Sequence, residues 1–415
     1  MSHHEQVFLS APKFLDINHK KDKIKDFVRL YVKGQGVVTF KLKEQAPFDL
    51  TINNPTDDGV EAIKITVTAE KVVFSQCKSG KWEDMSIHGG GSELGIDKDP
   101  DCVYWYSIDY HNRYLRYGKG EVRLNTALAS QHLQQPTSSK KKDEYAWLNE
   151  VRKVVIDHNV IHPLRVWRDP VVIDPPLAVV DRNMIAMDDI ALNNCTVPEN
   201  LTAVCQQLYA NVGGQNFQLN TPDFPFFVDA VEASIKSPKG WCYKTLKEKE
   251  GEFGPGSDPK ENYLRITMGV NQGDSPGIPY VMEIWPPGCY SPIHNHARAN
   301  AIIRVLSGEI NVSLYPMLSK YHEVPFMDIN FRKDQVTWIS PELNQTHKLR
   351  NPNESGPTCI TIQCYTYAKG NMEHYEYFDF LDEEGDIQQF TPNSDCGFLE
   401  FKAIMKKEWE DGTTR

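Results

Sequence analysis

No stretch of this 415-residue chain reaches the ~18 to 20 consecutive apolar residues that cross a bilayer as a helix. The N-terminal MSHHEQVFLSAPKF also lacks the charged-then-apolar order of a secretory leader. A soluble, cytoplasmic protein with no membrane partner is expected. Positive charge is in short supply. The 45 Lys and Arg against 56 Asp and Glu leave a net −11, the wrong sign for neutralising phosphates over a broad face. Nucleic acid is therefore excluded as an expected partner. The nine cysteines (77, 102, 195, 205, 242, 289, 359, 364 and 396) are odd in number and contain no Cys-x-x-Cys pair. Neither a disulfide framework nor a zinc ribbon is signalled. Gly and Pro, at 26 each, are not in excess, and 40% hydrophobic with 24% charged residues is an ordinary globular composition. Global disorder is excluded, and no internal repeat or low-complexity segment is present.

The length corresponds to two or three folding units. Residues 1–20 are polar and aperiodic, so a tail is expected. From 21 to 135 the pattern is strand-like: Ile63, Ile65 and Val67 alternate with Lys64 and Thr66, and breakers such as Asn53-Asn54-Pro55, Asp57-Asp58-Gly59 and Gly89-Gly90-Gly91 separate similar segments. This predicts an antiparallel β-sandwich. Its Tyr104–Tyr117 stretch is dense in aromatics, which either fill the sandwich core or face a carbohydrate or protein partner. The polar QQPTSSKKK at 134–142 reads as a linker. A helix is expected over about 143–157, and Pro170, Pro175 and Pro176 mark an extended strap within 164–177. That connector occupies 136–189. Helical patterns at about 200–212 and 224–237 then lead into strand-like sequence over 263–378, with turns at Asn271-Gln-Gly-Asp, Pro286-Pro-Gly and Ser307-Gly. The predicted fold class is mainly β, with the second β unit spanning 190–405 and a tail over 406–415.

Chemistry concentrates in that second unit. In Pro287-Gly-Cys-Tyr-Ser-Pro-Ile-His-Asn-His296, positions i and i+2 of a strand share a face, so His294 and His296 can grip one ion. His347, in Gln345-Thr-His-Lys-Leu-Arg-Asn351, can supply a third imidazole from a distant strand. The Gly288-x5-His294-x-His296 spacing with Gly308 downstream, and His347-x3-Asn351, resemble the two signature motifs of the cupin superfamily. The resemblance implies a double-stranded β-helix (jelly-roll) barrel with preceding helices and a metal on the three histidines. Many cupins add a carboxylate four or five residues beyond the second histidine. Asn300 and Ala301 occupy those places here. Three neutral imidazoles leave a divalent ion with open positions for a bidentate substrate and dioxygen.

Tyr263-Leu-Arg-Ile-Thr-Met-Gly-Val-Asn-Gln-Gly273, running into Val281-Met-Glu-Ile-Trp285 and the histidine motif, resembles the cysteine dioxygenase family over about half the chain. That resemblance implies Fe(II) as cofactor and a small thiol carboxylate, L-cysteine above all, as the substrate oxidised with O2 to its sulfinate. It places Arg265 and Tyr263 at substrate-binding positions, and Thr361, Gln363 and Tyr365 where the family has a Ser-x-His-x-Tyr relay. Three departures stand out. Gln363 replaces the relay histidine, Thr361 replaces the serine, and Ala301 falls where animal members carry the cysteine that crosslinks to the tyrosine. Cys289, Cys359 and Cys364 do not align with it and read as packing residues. A buried Arg265 could alternatively pair with Glu283. Because an amide cannot shuttle protons as imidazole can, two other readings stay open: a metal-dependent lyase or isomerase, and a non-catalytic metal-stabilised domain fused to a lectin-like module.

Overall fold

The computed structural model describes residues 13–17, 27–54, 61–91, 93–136, 142–213, 216–268, 280–366 and 377–414. The turns expected at 55–59 and 271–274, linker residues 137–141 and most of the 1–20 tail lie outside them. The chain divides into two compact units, Met1–Asp174 and Pro175–Arg415.

The first unit holds two six-stranded sheets whose neighbouring strands pair antiparallel. In the strand Glu61–Val67, Ile63, Ile65 and Val67 are buried while Lys64 and Thr66 remain partly exposed, as the alternation predicts. Tyr104 stacks on Phe40 of its own sheet and meets Phe48 of the other edge-on, each at 5.8 Å between ring centroids. Tyr104, Trp105, Tyr106 and Tyr117 are all buried. Tyr104, Tyr106 and Tyr117 lie in the sandwich core, whereas Trp105, on the opposite face of its strand, packs with Val37 and Val171.

The expected helix over 143–157 is not formed. A short 3-10 turn, Ala146–Glu150, is followed by the strand Lys153–Ile156, which pairs on both sides with Phe27–Arg29 and Phe48–Asn53. Its β-branched Val154, Val155 and Ile156 lose side-chain freedom in a helix and fit a pleated surface. The strap region likewise begins as a strand, Ile161–Trp167, whose register shifts between Pro163 and Arg165, where a residue lacking an N–H is tolerated. The sandwich therefore extends well past residue 135. Phe14–Asp16, expected in the tail, pairs with the same strand.

In the second unit an eight-stranded sheet runs in the order Cys195–Thr196, Ala178–Val179, Val336–Ile339, Asn300–Ser307, Cys359–Thr366, Tyr280–Trp285, Leu264–Met268, Cys396–Gly397. A three-stranded sheet, Met327–Arg332, Glu309–Leu314 and His347–Arg350, faces it. The chain crosses between the sheets after Ser307, after Arg332, after Ile339 and after Arg350, the double-stranded β-helix pattern. Among the described residues, hydrogen bonds do not close a barrel. The two sheets form an open sandwich, and isolated bridges such as His294 to His347 and His294 to Phe380 connect its mouth. Gly308 makes the first crossover turn at φ +73°, where a side-chain carbon would lie 2.8 Å from the Thr358 carbonyl oxygen.

Period-2 alternation divides the large sheet into two chemistries. Leu264, Ile266, Met282, Ile284, Ile302, Ile360 and Ile362 point outward into a core shared with the helices Ala203–Val212, Phe227–Lys236 and Phe398–Glu410. The intervening Arg265, Glu283, Ile303, Gln363 and Tyr365 point inward. The last helix runs through the first half of the expected 406–415 tail, because Phe401 and Met405, one turn apart, are fully buried.

Candidate metal centre

His294 and His296 do not lie on a regular strand. His294 exchanges both backbone hydrogen bonds with His347 at 3.0 Å, as an isolated bridge between chain segments 53 residues apart. After His296 the backbone turns sharply through Ala297 and Arg298, at φ +43° and +68°, a region costly for residues with side chains. The Nε2 atoms of His294 and His296 are 3.1 Å apart, as are those of His296 and His347. Asn351 braces the same mouth: its buried amide donates to the Trp285 and Pro357 carbonyls at 3.0 Å.

These contacts cannot all be hydrogen bonds. His294 Nδ1 lies 3.0 Å from the Pro292 carbonyl and His347 Nδ1 3.0 Å from the Asn344 carbonyl. Each therefore carries its proton on Nδ1 and presents an Nε2 lone pair to the centre. Burial pushes the His294 ring down to about 3 and the His347 ring to about 4. His296 falls well below its ordinary value, through burial and its two neighbours. Its own Nδ1 is buried without a hydrogen-bond partner among the described residues. At neutral pH one imidazole at most can offer one N–H to two facing lone pairs. A divalent cation satisfies all three. Nitrogens 3.1 Å apart subtend roughly a right angle at a cation about 2.1 Å from each, a normal metal–imidazole distance. The donor set fits a metal, with three neutral ligands and no carboxylate. Asn300 is turned away, its Oδ1 3.7 Å from the Cys205 sulfur.

Around the three rings lies a small, tightly lined pocket. Its walls bring together all the other residues singled out from sequence except Thr361. Tyr263 stacks on Trp285 at 4.1 Å between ring centroids. Tyr365 lies parallel to His296 at 5.7 Å and donates its hydroxyl hydrogen to Gln363 Oε1. Gln363 Nε2 donates to Glu283 Oε2 and lies 3.4 Å from the buried Thr361 hydroxyl. Ala301, opposite Tyr365 in the sheet register, offers only a methyl group where a crosslink would need sulfur. Cys359 and Cys364 are buried in the apolar cores, and burial holds the Cys289 thiol up at about 11.

Arg265 reaches the pocket, and it does so paired: its Nη1 is 3.1 Å from Glu283 Oε1, with both side chains nearly inaccessible. Glu283 is the residue whose importance the sequence understated. Its signal was there, a lone carboxylate at an inward position of the otherwise apolar Val281–Trp285 run. Burial lifts its carboxyl to about 7 even though Arg265, Gln363 and Lys249 all pull it down. Phe378, 4.3 Å from the His296 ring centroid, is a further wall residue that no motif marked.

No protein-family model matches the chain. Similar solved structures include the cupin domain of an XRE-family transcriptional regulator from Enterobacter cloacae, at 15% identity over 26% of this chain and 98% of that one, with a TM-score of 0.20. A double-stranded β-helix protein from Klebsiella pneumoniae matches at 14% identity over 32% of this chain and 88% of that one, TM-score 0.21. An oxalate oxidase in complex with the substrate analogue glycolate matches at 18% identity, TM-score 0.22. That match spans 28% of this chain and about half, 55%, of the oxidase.

Proposed function

We propose that the second unit is a mononuclear non-haem iron thiol dioxygenase of the cysteine dioxygenase type, oxidising a small thiol carboxylate such as L-cysteine to its sulfinate. The observation that carries this reading is the convergence of three neutral, buried imidazoles, without a carboxylate, on a small pocket that also holds Arg265 and Tyr365. Ferrous iron held by His294, His296 and His347 would supply the redox chemistry that places both atoms of dioxygen on sulfur.

The chain's own residues do the rest. Arg265 offers a planar guanidinium for the substrate carboxylate. Tyr365 presents a hydroxyl beside the ligand rings, oriented by Gln363. The amide orients but does not titrate, so the pH dependence of turnover should lack an imidazole limb from this position. Trp285, Phe378 and Leu349 line the rest of the wall with apolar surface that excludes water.

Gln363 also favours a second reading, a lyase or isomerase in which a metal acts only as Lewis acid. Oxygen dependence separates the two. Iron-loaded protein given L-cysteine in air should consume one dioxygen per sulfinate formed and stop entirely under strict anaerobiosis. Product formation that continues without oxygen would establish the Lewis-acid reading instead.

A further inference from the structure

We propose that Glu283 is the internal base that takes the proton of an incoming thiol and, on becoming neutral, yields the Arg265 guanidinium to the substrate carboxylate. The inference rests on the thiol dioxygenase reading and answers a conflict within it. A thiol carboxylate brings one anion and one proton too many into this pocket. Its sulfur must shed a proton to bind as thiolate, and its carboxylate needs a cation that already has an anionic partner.

Glu283 stands where it can resolve both. It sits opposite Arg265 in the register of neighbouring strands and lines the same pocket as the three histidines. It is the only carboxylate in that wall among the described residues. The other titratable wall groups are unsuited to the task. The histidines are ligands, burial raises Tyr263 further from ionisation, and Tyr365 has its hydroxyl hydrogen committed to Gln363. The groups acting on Glu283 can be named strand by strand: Arg265 on one side, Gln363 and Thr361 on the other, and Lys249 beyond Arg265. The Tyr263 hydroxyl and the Cys359 thiol complete its surroundings, and Glu283 in turn disfavours ionisation of both. With its carboxyl near 7, Glu283 is ionised just above neutrality and is held so by Arg265. A second carboxylate at Arg265 removes that support, and Glu283 then favours its protonated form.

The step balances. The S–H bond breaks, its electron pair stays on sulfur, and the proton bonds to a Glu283 carboxylate oxygen. One negative charge moves from the pocket wall to the substrate, with no net change in the buried charge. A protonated carboxyl competes poorly with a carboxylate for the Arg265 donors, because charge-assisted hydrogen bonds are the stronger.

Anaerobic titration calorimetry of iron-loaded protein at about pH 8, repeated in buffers of different ionisation enthalpy, counts the protons released. With 3-mercaptopropionate, a thiol carboxylate lacking an amine, wild type should release well under half a proton per bound thiol. With 2-mercaptoethanol, which has no carboxylate to claim Arg265, the count should approach one. Glu283→Gln, checked for unchanged iron content, should release about one proton with both. The contrast between the two thiols in wild type decides the matter even if the variant fails to fold. Release of one proton by wild type with 3-mercaptopropionate overturns the role of Glu283 alone, whereas failure of both L-cysteine and 3-mercaptopropionate to bind overturns the thiol reading and this proposal together.

Discussion

Replacing any one of His294, His296 or His347 by alanine should strip the protein of iron and abolish turnover. Losing a residue that merely orients a ligand costs about 10- to 100-fold in metal affinity, and losing one of three ligands should cost more. Each ring is buried, and two are held by a carbonyl on Nδ1, so no neighbouring group can move in to replace the missing nitrogen. Metal analysis of the three purified variants checks this, and full iron occupancy in all three would show the site to be misassigned. The same residues set the acid limit of the metal-free protein. Their folded-state values lie below the ordinary 6.5, so the unfolded chain binds more protons between about 3 and 6.5. The stability they contribute is present above that window and is lost as pH falls through it.

Arg265→Ala should be the most destabilising single change in the pocket wall, because it strands a buried carboxylate. Breaking a buried pair from one side costs about 3–5 kcal/mol. The cost should depend on pH in a defined direction. Glu283 already has a folded value raised to about 7 from the usual 4.5, so the folded state binds the extra proton and stability falls as pH rises through this window. Without Arg265 the shift grows, and the deficit should be small at about pH 5.5 and near its full size at about pH 8.5. Denaturant midpoints at the two pH values measure it. Arg265→Ala combined with Glu283→Gln should recover most of the stability, and comparison with Glu283→Gln alone isolates the effect of Arg265 on substrate. In that background the Michaelis constant for L-cysteine should rise roughly 30- to 1000-fold, the loss of about 2–4 kcal/mol of charge-assisted hydrogen bonding. A thiol without a carboxylate should be affected far less. Equal stability loss at both pH values would mean that Glu283 does not titrate as described.

The cluster of three histidines was legible because metal-binding chemistry requires fixed residue types at fixed spacing, and the family resemblance singled out Arg265, Gln363 and Tyr365, which line the same pocket. That His294 and His296 lie outside any regular strand was not legible, because the isolated bridge that holds His294 to His347 spans a separation that local periodicity does not see. The helix expected over 143–157 failed for a similar reason: Val154, Val155 and Ile156 have two strand partners that lie about a hundred residues earlier. The pairing of Arg265 with Glu283 was one of two open alternatives. Sequence could not decide it, because strand register, which sets the two side by side, is not fixed by their separation along the chain alone.

The most direct test of thiol dioxygenation at this centre is isotopic. Iron-loaded protein should be given L-cysteine under ¹⁸O2 in ordinary water, and the product analysed by mass spectrometry. The account predicts a sulfinate carrying two heavy oxygen atoms, in wild type and not in His296→Ala. A product that carries oxygen from water, or one oxidised at no sulfur atom, would contradict it.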